Sequence, residues 1–130
     1  MEKNVPEGFF KQKLDKIIDE DGIRFAGFIN LKGDLVESKI RKNIIPFEND
    51  EEQRQVFREL ALRISTRRKF DYSMGAVKYS ASRREKLVMI SFPLKNFILL
   101  ITAEPNVNID RLAYKIIKIL GKDWSEFFGD

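Results

Sequence analysis

Residues 87–101, LVMISFPLKNFILLI, constrain this chain more than any other stretch. Two runs, Leu87–Phe92 and Phe97–Ile101, are apolar at almost every position, and Pro93-Leu94-Lys95-Asn96 between them is a hairpin-turn sequence. Apolar runs this short, bounded by turn residues, read as strands buried on both faces. A sheet containing such strands needs cover on both sides.

The rest of the chain supplies that cover. Phe10, Leu14, Ile17 and Ile18 fall on one face of a helix that Asp21-Gly22 ends. From Ile23 the period changes to two. Ile23, Phe25, Gly27, Ile29 and Leu31 alternate with Arg24, Ala26, Phe28 and Asn30, which predicts a strand. Lys32-Gly33-Asp34 forms a turn into a second strand over about Leu35–Arg41. Asn49 and Glu52 have the spacing of a capping box, opening a helix whose apolar stripe is Val56, Phe57, Leu60 and Ile64. Gly75–Ala81 reads as a third strand. Asn108 caps a last helix lined by Ile109, Leu112, Ala113, Ile116, Ile117 and Leu120, and Gly121 stops it. The order is α-β-β-α-β-β-β-α. Strands two and three are polar on alternate residues, as edges should be. The expected fold is therefore α+β, a five-stranded antiparallel sheet in the order 2-1-5-4-3, with the middle helix on one face and the terminal helices on the other. Residues 1–130 make a single domain, with 122–130 a short tail carrying Trp124, Phe127 and Phe128.

Composition removes several functions. The chain has no Cys and no His, which excludes disulfides, thiol nucleophiles, His-based triads and the usual zinc ligands. No DxDxDG spacing, GxGxxG or GxxxxGK[ST] occurs, and the glycines sit at helix ends, in a strand and in turns. Carboxylate pairs such as Asp19/Asp21 and Glu51/Glu52 lie at helix ends, where turn and dipole chemistry explains them. An enzyme is not expected, nor is any cofactor. No apolar run approaches the roughly 20 residues that span a bilayer, and the N-terminus lacks the plan of a signal peptide, so a cytoplasmic protein is expected.

Charge is informative in its placement. The net charge of +4 permits an acidic partner. Asp50, Glu51 and Glu52 open the middle helix, and Arg67, Arg68 and Lys69 close it, the order that the helix dipole favours. Asp50 with Arg54 and Glu59 with Arg63 have i,i+4 spacing for ion pairs. Because the basic residues are matched by nearby acids, nucleic acid is not an expected partner. Arg83, Arg84 and Lys86 fall in a turn and offer a contact loop for a partner. Leu62 stands opposite the apolar stripe of the middle helix, flanked by the small residues Ala61 and Ser65, a pattern suited to the close approach of another helix.

The phrases GIRFAGFINLKGDLVES, MGAVKYSASRREKLVMISFPLKNFILLITAE and NIDRLAYKIIKIL together resemble the roadblock/LC7 family over about residues 8–121, and the likeness is nearest to archaeal proteins. The resemblance implies a profilin-like, non-catalytic fold that dimerises, with middle helices packed antiparallel and edge strand three continuing the sheet into the partner. It further implies a role as scaffold or regulator, including of small Ras-like GTPases. Carried onto this chain, the dimer face is Arg58, Ala61, Leu62 and Ser65 of the middle helix with Val77, Tyr79 and Ala81 of strand three. Two departures stand out: the middle helix is poorer in alanine than is usual in the family, and the aromatic tail is additional. The alternative is a PAS- or profilin-like small-molecule sensor, which would need a cavity with convergent polar groups.

Overall fold

A computed structural model describes residues 7–128, with side chains described up to residue 121. It consists of α1 (Phe9–Ile18), β1 (Ile23–Asn30), β2 (Leu35–Ile40), α2 (Asp50–Arg67), a 3₁₀ turn (Arg68–Phe70), α3 (Asp71–Met74), β3 (Ser80–Arg83), β4 (Val88–Pro93), β5 (Phe97–Ala103) and α4 (Ile109–Phe128). The strands form one sheet in the order β2-β1-β5-β4-β3, with every neighbouring pair antiparallel, as expected.

The two doubly apolar strands lie inside the sheet, and β5 is buried at all seven positions. One face carries Phe28, Ile90, Phe92, Leu99 and Ile101 beneath α1 and α4. The other carries Ile29, Ile98 and Leu100 beneath Phe57, Leu60, Ala61 and Ile64 of α2. Removing apolar area from water on both faces is the main stabilising term. At the centre of the first layer, Phe10 packs its ring 4.4 Å from Phe28 and 4.9 Å from Phe97.

Four local expectations need correction. Ile23 does not share a face with Phe25. The pairing with β5 slips there, Ile23 opposing Ala103 and Phe25 opposing Thr102, so Arg24 is an extra residue and Ile23 turns into the α1/α4 layer. The third strand begins at Ser80, not Gly75. A longer ladder would set Lys78 opposite Pro93, which has no N–H to donate, and Gly75 at φ +83° turns the chain there. The segment before it forms the 3₁₀ turn and α3 instead. Arg54 pairs with Glu51 at 3.2 Å rather than with Asp50. Finally, Gly121 departs from helical geometry (φ 34°, ψ −130°), but helix resumes beyond it to Phe128. The side chains of Trp124, Phe127 and Phe128 lie outside the described residues.

Candidate interaction surface

The outer face of α2 is set by how its inner face is fixed. Asn49 Oδ1 accepts the Glu52 N–H at 2.8 Å, and the Asn49 N–H donates to Glu52 Oε1 at 3.2 Å, closing the capping box. At the other end the Arg68 guanidinium donates to the carbonyls of Leu94 and Lys95, tying α2 to the β4–β5 turn. Between them the β1–β2 turn meets the helix backbone: a Cβ on Gly33 would stand 2.7 Å from Arg58 Cα.

Held this way, α2 presents Arg58, Leu62 and Ser65 to solvent, with Leu62 70% exposed. Ala61 does not join them. It is 2% exposed and packs in the inner layer with Leu60 and Ile64, because its direction lies about 100° around the helix from Leu62. The expected α2 face thus narrows to Arg58, Leu62 and Ser65.

The second component is β3, which among the described residues pairs only with β4 and leaves its other edge open. Residues directly opposite in a ladder share a face. Ser80 opposes Ser91 and Ser82 opposes Met89, and Met89 packs against the α2 layer. Ser80 and Ser82 therefore lie on the α2 side, and Ala81, opposite Ile90, on the α1/α4 side. Val77 and Tyr79, expected within the strand, precede it. Val77 is exposed, whereas Tyr79 packs against the α1/α4 layer near Phe92 and donates its hydroxyl hydrogen bond to Asp110. That bond to a carboxylate raises the Tyr79 pKa, with smaller contributions from burial and from the charge of Asp110.

The connector adds apolar surface that periodicity did not reveal. Tyr72, Met74 and Phe70 are 101%, 76% and 47% exposed. Their only sequence signal is three large apolar residues at alternate positions beside a basic run, in a segment with no helical stripe.

The expected contact loop is partly committed within the chain. Arg83 closes β3 rather than entering the turn, and its guanidinium donates to Pro105 O and Val107 O. Lys86 stands 5.6 Å from the Phe47 ring, over which Arg24 also lies at 4.4 Å. Arg84 remains exposed in the turn.

Among the described residues, two of the hollows accompany these surfaces. One, lined by Arg24, Phe25, Ile40 and Phe47, holds about 20 Å³. The other is an open cleft of about 250 Å³ between Gly33-Asp34-Leu35 and the start of α2, edged by Asp50, Arg54 and Arg58. Small-molecule sites are usually enclosed and span roughly 300–1,000 Å³. Among the described residues no group of three or more carboxylates could hold a metal ion, and no helix is long and apolar enough to cross a membrane.

An open five-stranded sheet in this order, with α2 on one face and α1 and α4 on the other, is the roadblock/LC7 fold. Solved structures agree. Gliding protein MglB from Thermus thermophilus superposes with a TM-score of 0.68 at 12% identity, covering 89% of this chain and 88% of that one. Myxococcus xanthus MglB gives 0.67 at 11% identity, covering 87% and 91%. A roadblock/LC7 domain from Streptomyces avermitilis gives 0.64 at 9% identity, covering 84% and 89%. At these identities the likeness is one of fold. None of the curated proteins matches the sequence. By sequence the chain belongs to the family described as "Family of unknown function (DUF6659)", whose model matches residues 2–130.

Proposed function

We propose that this protein is a non-catalytic interaction module that works as a dimer, pairing α2 with α2 and the β3 edge with the β3 edge of its partner. The observation that carries this reading is the coincidence of two unsatisfied surfaces. Leu62 stands exposed on the outer face of α2, and β3, the last strand in the sheet order, leaves one edge unpaired among the described residues and offers small Ser-Ala-Ser side chains to an approaching backbone. An unpaired edge presents free N–H and C=O groups that a second strand satisfies. A solved MglB bears the description "with tetrameric arrangement", so the fold supports assembly elsewhere (TM-score 0.65, 14% identity, covering 88% of this chain and 90% of that one).

The chain's lack of cysteine makes the strand pairing easy to test, since an introduced thiol has no native competitor. Ser80→Cys, Ala81→Cys and Ser82→Cys are oxidised separately. A two-fold β3–β3 ladder with its axis within Ser80–Ser82 gives a covalent dimer at one or more of these positions; none at any of the three contradicts that register.

The further role we assign is scaffold or regulator of a small Ras-like GTPase, an acidic protein surface being the chemistry that a net +4 chain suits. This follows from the resemblance to the roadblock/LC7 family. Titration with small Ras-like GTPases from the same organism, loaded with GDP or a non-hydrolysable GTP analogue, should show nucleotide-dependent affinity. Equal or absent binding in both states would contradict the role.

A further inference from the structure

We infer that the arm between α2 and β3 is an interfacial anchor, one that seats this protein on a bilayer surface rich in anionic lipid. The contact needs no spanning helix and is separate from the dimer proposed above. Residues 67–78, RRKFDYSMGAVK, hold four basic side chains against the single acid Asp71. Among the described residues none of Arg67, Lys69 and Lys78 enters an ion pair. The Arg68 guanidinium donates to the Lys95 carbonyl, which brings the exposed Lys95 to the same end of the sheet. Positive charge therefore gathers at this end with little to neutralise it.

The same arm carries apolar side chains that the fold does not bury. Once Arg68 has tied α2 to the β4–β5 turn, the chain runs on as the 3₁₀ turn and α3, closed by the Gly75 N–H donating to Asp71 O at 2.8 Å. Phe70, Tyr72 and Met74 stand exposed on it, and neither core layer includes them. Phe70 and Met74 are one helical turn apart and share a direction, whereas Tyr72 lies about 200° around from Phe70. A protein groove meets one side of so short an element. A bilayer interface surrounds an inserted tip, so all three side chains leave water together. The residue types agree. Tyrosine settles at the level of the headgroups and phenylalanine at the acyl boundary. Lys69, its ammonium 5.3 Å from the Phe70 ring centre, and Lys78 have stems long enough to reach lipid phosphates from beside that tip. Lysine, by contrast, is depleted in contacts between proteins. An apolar tip or a basic cluster alone holds a protein weakly, and the two together make a stable anchor.

Flotation with vesicles tests the anchor. Wild type should float with phosphatidylcholine vesicles that contain phosphatidylglycerol, stay behind with pure phosphatidylcholine, and be released by raised salt. Lys69→Gln with Lys95→Gln should weaken binding by roughly twentyfold, at about fivefold per lost charge. Tyr72→Ser with Met74→Ser should weaken it by about tenfold or more, while circular dichroism and mass in solution stay those of wild type. Because the chain has no cysteine, Met74→Cys accepts a single environment-sensitive fluorophore, whose emission should shift to the blue on the anionic vesicles. No flotation of wild type, or equal flotation with both kinds of vesicle, overturns the anchor. Flotation with unshifted emission at position 74 also overturns it, because the protein then adsorbs through another surface. A serine variant whose solution mass falls assigns the arm to a contact between copies and overturns the anchor as well. A wild type that floats with the anionic vesicles yet is monomeric in solution supports the anchor and contradicts only the dimer.

Discussion

Gly33 is where the β1–β2 turn and α2 touch backbone to backbone. Its φ of +92° and the 2.7 Å from a notional Cβ to Arg58 Cα leave no room for alanine. Gly33→Ala should lose about 1–3 kcal/mol of stability in urea unfolding; an unchanged midpoint would contradict the close approach. Tyr79 makes a titration prediction. Its phenol donates to Asp110, which holds its pKa above the ordinary 10.0. A raised pKa gives stability that is complete below the unfolded value and is lost as pH rises through the folded one. In Asp110→Asn the carboxylate is gone, and the alkaline absorbance titration of Tyr79 should move down towards its ordinary position. No movement would mean the bond does not form in solution. At this scale the sequence was legible where the cause was local: Asn49 and Glu52 cap α2 as their spacing predicted. It was silent where the cause was a neighbouring strand. Nothing in IRFAGF marks Arg24 as a bulge, since the slip exists only against Thr102 and Ala103.

Among the elements, α2 depends on both of its ends. Asn49→Ala removes the acceptor for the Glu52 N–H and should cost about 1 kcal/mol, seen as a lower Tm; an equal Tm would show that the cap adds nothing. Arg68→Ala frees the last turn of α2 from the carbonyls of Leu94 and Lys95. Faster amide hydrogen exchange is expected in the last turn of α2 and in residues 94–96, and unchanged protection would contradict the tie. Elements with a strong internal period (α1, α2, α4 and β1) and the continuous apolar run of β5 were readable because their burial is one-sided or complete. The connector 68–79 was not. Its residues follow no helical period, and β3 is shortened by Pro93 on the opposite strand, a constraint invisible within VKYSAS itself.

For the molecule as a whole, the twice-covered sheet was legible from LVMISFPLKNFILLI, because strands apolar on both faces permit little else. The proposed interaction surface was legible only in part. Leu62 stood out because an exposed leucine breaks the helical pattern, but Ala61 belongs to the core, and Phe70, Tyr72 and Met74, at alternate positions, gave no helical stripe. Folding patterns record only what one chain buries, so a surface left exposed carries no periodic reason for its residues. The most direct test of the central proposal is mass in solution by light scattering, on wild type and on Leu62→Arg. Twice the 15.3 kDa of the chain for wild type, falling to the monomer mass in the variant, is the predicted result. A wild type that remains at the monomer mass at high concentration, or a variant as dimeric as wild type, would contradict pairing through α2.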